Sequence, residues 1–113
     1  MRTPTLPLPP LADRVTAGAA LLDRCRPGWA TQVDPDRLDM AAEYDDLLGQ
    51  LYGHYAVGLE ELSQADPARP VWPWSTFAYE HGFDLAADDP TTSTQLDDAW
   101  RPELRRRRQG GDG

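Results

Sequence analysis

The 113-residue chain has no lysine, no isoleucine and no asparagine, and all 11 of its basic residues are arginine. That usage bears on a GC-rich genome of origin and not on chemistry. A single cysteine, Cys25, excludes an internal disulfide framework. The chain has no apolar run near the roughly 18 residues that a membrane-spanning helix needs. The opening stretch, Met1 to Arg14, lacks the continuous apolar core of a secretory signal, so a cytoplasmic location is expected. Acidic residues outnumber basic ones 19 to 11, for a formal charge of −8. This argues against the cationic surface that a whole-chain nucleic-acid binder uses.

Aliphatic residues are also scarce. Leu, Val and Phe together number only 20, and that shortage with a high net charge points toward disorder. Four Trp, four Tyr and two Phe point the other way, because each buries roughly 150–250 Å². The balance predicts a small, aromatic-rich core of modest stability. The alternative is a chain that folds fully only on a partner.

No stretch alternates apolar and polar residues as a half-buried strand does, and the apolar spacing is helical throughout. An all-α domain of four or five helices is therefore expected over residues 11–104. It lies between a proline-rich arm at 1–10 and an arginine-rich flexible tail at 105–113. The first helix spans Leu11 to Cys25, with Val15, Gly18, Ala19, Leu22 and Cys25 on one face and Gly18 admitting a close neighbour. Pro27-Gly28 stops it, and Trp29 folds back onto the core. Asp34 with Pro35 marks a short helical turn, and Asp39 caps a second helix from Met40 to Tyr52 that ends at Gly53. A short helix covers Tyr55–Leu62, with Gly58 its weak point. The proline-rich loop Ser63–Trp74 and a helix over Thr76–His81 come next. Asp89-Pro90 or Ser93 starts the last helix, which runs to about Arg108, carries Leu96, Ala99, Trp100 and Leu104 inward and is kinked or broken at Pro102.

Residues 34–66 hold nine acidic side chains against Arg37 alone. They read either as caps and a solvated face or as an electronegative surface. Such a surface would recruit a basic partner protein or imitate nucleic-acid phosphates. Asp36, Glu43, Asp45 and Asp46 are its candidate contact residues. A calcium loop starting at Asp34 fails, because Leu38 and Asp39 stand where it needs an oxygen ligand and glycine. The soft ligands Cys25, His54 and His81 lack zinc spacing, so no metal is expected. No nucleophile elbow, phosphate-cradling glycine loop or paired-carboxylate motif is present, so neither a cofactor nor an enzymatic role is expected. Cys25 reads as a buried, inert thiol.

Trp72 and Trp74, two residues apart in a stiff loop, read as core packing or as a docking element. Arg105, Arg106, Arg107 and Arg108 suit a helix C-terminus and also offer a weak nucleic-acid contact. Residues 1–104 carry 7 Arg against 18 acidic residues, or −11, whereas residues 105–113 carry 4 Arg against one, or +3.

Leu22-Asp23, Pro27-Gly28-Trp29, Val33-Asp34, Leu38-Asp39-Met40, Leu48-Gly49-Gln50-Leu51-Tyr52-Gly53, Tyr55, Gly58-Leu59 and Gly82-Phe83 form a pattern over about residues 21–85. It resembles small uncharacterised proteins of actinobacteria and of the phages that infect them. The Leu-Gly-Gln-Leu-Tyr-Gly stretch carries most of its specificity. In that pattern cysteine often stands at the positions of Glu43 and Asp46. Both are acidic here, so a metal or redox site built on those cysteines is absent. The resemblance implies a shared helical fold and a phage or mobile-element setting, and it brings no activity. The expectation is a non-enzymatic interaction protein, accessory or regulatory, that touches another protein and no membrane. Inhibition by nucleic-acid mimicry and weak DNA binding through the arginine run are the alternatives.

Overall fold

The computed structural model describes residues 9–65 and 75–109. They form an all-α domain of six helices, with no strand among the described residues. These are α1 (Leu11–Cys25), α2 (Trp29–Gln32), α3 (Leu47–Tyr52), α4 (Tyr55–Ala65), α5 (Ser75–Glu80) and α6 (Ser93–Gln109). α1 packs against α4, α5 and α6, while α2 bridges α3 and α6 and α3 folds back on α4.

α1 buries Val15, Gly18, Ala19, Leu21 and Leu22. Gly18 is the point of closest approach: a Cβ there would lie 2.0 Å from the His81 carbonyl oxygen and 3.0 Å from the Trp100 ring. The expected burial of Cys25 does not occur. The last turn of α1 runs past the core, leaving Asp23, Arg24 and Cys25 all exposed. Trp29 fills the space beneath that turn, as its position after the Pro-Gly stop predicts, and is 1% exposed. It meets Trp100 edge-on at 6.0 Å, and Phe83 stacks on Trp100 at 5.8 Å. Both indoles satisfy their N–H groups, Trp100 on the Gly82 carbonyl at 2.6 Å and Trp29 on Asp23 at 2.9 Å. These aromatic residues, with Phe77, join a core that is otherwise built of Leu, Val, Ala and Met.

The helix expected from Met40 starts seven residues later. Residues 34–46 run through turns, because long-range partners claim their backbone groups. Met40 N–H donates to Asp97 at 2.7 Å, and the Glu43 carbonyl accepts from Tyr55 N–H at 2.9 Å. Asp34 and Asp39 turn the chain locally by accepting from Asp36 N–H and Ala41 N–H. Asp46, rather than Asp39, is the N-cap, accepting from Gly49 N–H at 2.5 Å. Gly49 is required by the backbone of Glu43 and Tyr44, which crosses it so closely that a Cβ would lie 2.3 Å from the Glu43 carbonyl oxygen. Gln50 pins the same loop, accepting from Asp34 N–H and donating to the Asp34 and Asp45 carbonyls.

α6 begins with a reciprocal cap. Thr92 Oγ1 accepts from Gln95 N–H, and Gln95 Oε1 accepts from Thr92 N–H. The N-cap is therefore Thr92, and the helix starts at Ser93, one of the two expected starts. Leu96, Trp100 and Leu104 face inward, as expected. Pro102 lies on the exposed side and does not interrupt the helix. Arg14, buried on α1, pairs with Asp89 at 3.0 Å and ties α1 to the approach of α6.

Candidate functional site

The crossing of the 39–46 loop over α3 opens a cleft of about 210 Å³. Met40 and Phe83 form its apolar part, and Glu43, Asp46, Tyr55 and Asp84 supply its polar groups. Tyr55 OH donates to Asp84 Oδ2 at 3.1 Å. Asp46 is 3% exposed. Its Oδ1 takes the Gly49 N–H, and no arginine or histidine pairs with it among the described residues. Burial pushes its carboxyl up to about 7, and Asp84, Asp45 and Glu43 add to the rise against the Gly49 hydrogen bond. Burial and the neighbouring Asp84 also raise the Tyr55 phenol, which stays protonated as a donor.

Around Asp46 the charge is more ordinary. Asp45 pairs with Arg37 at 2.6 Å on the surface beside the cleft, and Glu43, at the cleft, lies 3.7 Å from His54. Tyr44 stands edge-on to His54 at 5.0 Å and is 62% exposed. Val57, one turn into α4, is 48% exposed.

Of the acidic residues singled out in the sequence, the fold gathers Glu43 and Asp46 in the cleft, with Asp45 beside it. Asp36 sits apart on an exposed turn and does not line the cleft. Trp72 and Trp74 lie outside the described residues. Tyr55 and Asp84 were missed. Asp84 is 38 residues from Asp46, and only the packing of the 82–85 turn brings it there, so no local spacing signals it. No group of three or more His, Cys, Asp or Glu among the described residues is placed to hold a metal ion.

Arg105–Arg108 form the last turns of α6, in line with a last helix expected to reach about Arg108, so the run is helical rather than the flexible tail drawn at residues 105–113. Arg107 grips Asp23 through two bonds, at 2.9 and 2.8 Å, and reaches Glu103 at 2.6 Å. Its guanidinium also lies 5.5 Å from the Trp29 ring centre. The Arg107 hydrogen bond holds Asp23 below the usual carboxylate range. Arg106 pairs with Glu103, and Arg108 donates to the carbonyls of Ala30 and Val33 at 3.0 Å each. Only Arg105 has no hydrogen bond or ion pair among the described residues. Four consecutive arginines thus divide between internal fastening and an outward face.

Comparison with family models, curated proteins and solved structures finds no match.

Proposed function

We propose that this is a non-enzymatic interaction protein whose acidic cleft receives an arginine or lysine side chain of a basic partner protein. Support comes from Asp46, a buried carboxyl at the cleft that is crowded by other acids and has no cationic partner among the described residues. An incoming cation would restore its charge and relieve the crowding. Tyr44 and Val57 offer the apolar contact that interface anchors use.

Titration with an arginine-rich peptide at about physiological ionic strength tests this reading, since surface charge is largely screened there. Asp84→Asn, which keeps an acceptor for Tyr55, should weaken binding about tenfold, the scale of one charge-assisted hydrogen bond. Asp88→Asn, an exposed change away from the cleft, should leave binding as it is. Equal effects of the two substitutions would mean only diffuse attraction to a negative protein.

The nucleic-acid-mimic reading draws less support. Mimicry wants evenly spaced free carboxylates, whereas Asp34 and Asp39 shape turns, Asp45 is paired and Asp46 is buried.

A further inference from the structure

A second hollow, of about 270 Å³, lies between the C-terminal half of α6 and Pro35. Pro35, Leu104 and the methylene stems of Arg101, Arg105 and Arg108 line it, so its surface is almost wholly apolar. It is smaller than the roughly 300–1,000 Å³ of small-molecule pockets, and it suits one large apolar side chain. The guanidinium ends go elsewhere. Arg101 pairs with Asp98 at 3.1 Å, and Arg108 donates to two backbone carbonyls. Arg105 is exposed and has no acidic partner among the described residues. An apolar hollow with a free cation beside it favours an occupant that is apolar and has a carboxylate next to it.

The same chain presents such a side chain. Tyr44 is 62% exposed, and Glu43 and Asp45 flank it. Asp45 is taken by Arg37, whereas Glu43 is 67% exposed and its cationic neighbour, His54, stands 3.7 Å away, beyond hydrogen-bond reach. Tyr44 also lies near the hollow. Gln50 Nε2 donates to both the Asp34 and the Asp45 carbonyls, at 3.2 and 3.0 Å, so Pro35 and Tyr44, their neighbours in the chain, belong to one compact loop. We propose that two copies of this chain pair about a two-fold axis, each seating Tyr44 in the other's hollow and setting Arg105 against the other's Glu43. A two-fold contact needs both halves of the complement within one patch, and the 35–45 loop supplies that. Tyrosine suits the place, because its ring is apolar and its hydroxyl tolerates solvent. The charges fix the partner: Arg105 meets a carboxylate only in this arrangement, and like charges stay apart. Asp46 takes no part, so the pairing stands apart from the cation reading of the cleft.

The test is sedimentation equilibrium of the full chain at about 0.15 M salt, where the repulsion between two chains of net charge −8 is largely screened. The contact is small, so a weak dimer is expected, with a Kd between about 1 µM and 1 mM. Tyr44→Ala should weaken it about tenfold or more, as loss of an interface anchor does. Arg105→Glu and Glu43→Arg should each be monomeric alone, because each sets like charges against one another at both ends of the contact. Mixed in equal amounts, the two charge variants should dimerise again, since both ends of the mixed pair are complementary. All three substitutions fall on exposed side chains, so melting temperatures should stay close to that of the wild type, and lost pairing cannot be blamed on unfolding. Asp84→Asn, which alters the cleft and not this contact, should leave the Kd unchanged. A chain that stays monomeric up to about 1 mM would overturn the proposal. So would assembly beyond the dimer, failure of the two charge variants to recover on mixing, or an equal loss in Asp84→Asn.

Discussion

Asp46 and Glu103 are both buried carboxylates, 3% and 8% exposed, yet the protein treats them in opposite ways. Glu103 lies under two arginines of its own helix, and the cluster continues through Arg107 to Asp23 and the Trp29 ring. Asp46 has one backbone N–H and three acidic neighbours, and proton uptake is its internal relief. At the α6 end, burial of charge fastens the fold. At the cleft, burial leaves a carboxyl that no cation among the described residues compensates. A negative residue in the sequence therefore says little until its partners are known, because a buried carboxylate is tolerated only as far as its surroundings compensate it.

The largest expected effect breaks the Asp46 side of this contrast. Its folded-state carboxyl titrates near 7 against an ordinary 3.8, so the native state holds a proton that the unfolded chain releases. Stability should fall as pH rises from about 4 to 7 and then level off, by on the order of 4 kcal/mol. Asp46→Asn keeps the cap and removes the titration. Urea unfolding should show that the variant is more stable than the wild type at pH 8 and lacks this fall.

Gly49→Ala removes the cleft rather than the charge. The added Cβ would meet the Glu43 carbonyl, and the 43–44 backbone must lift. A loss of about 3 kcal/mol is expected, at the upper end of overpacking costs. Arginine-peptide binding should fall with it if the loop crossing builds the site.

On the other side, Glu103→Gln strips the compensating charge from under Arg106 and Arg107. Because Arg106 is mostly exposed, the loss should be smaller, about 2 kcal/mol. It should appear as a lower denaturation midpoint with an unchanged slope. The smallest effect sharpens the division inside the arginine run. Arg105→Gln should shift stability by less than about 0.5 kcal/mol, as surface changes do. A cost near that of Glu103→Gln would show that Arg105 also fastens the body.

Much of the fold was legible in the sequence. Helical spacing with Pro-Gly punctuation placed α1, Trp29 and the Gly53 end of α3, and the aromatic count pointed to the core that Trp29, Phe83 and Trp100 build. Tertiary hydrogen bonds decided the rest. The Met40–Asp46 stretch has helical apolar spacing, but Asp97 and Tyr55 take its backbone groups, and Gly49 lets that loop lie across α3. Nothing local separates this outcome from a longer helix. The site was half legible for the same reason. Glu43 and Asp46 stood out as acids, whereas Asp84 and Tyr55 join them only through packing. The helical end of the arginine run was legible, but its fastening was not, because the partners Asp23, Ala30 and Val33 lie more than 70 residues away in the chain.

The most direct test is to follow the Asp46 side-chain carboxyl by NMR through a pH titration, alone and with a saturating arginine-rich peptide. A midpoint near 7 is expected in the free protein, with a clear downward move when the peptide binds, since a cation in the cleft favours the charged form. A midpoint near the ordinary 3.8 in the free protein, or one that the bound peptide leaves in place, would contradict that expectation.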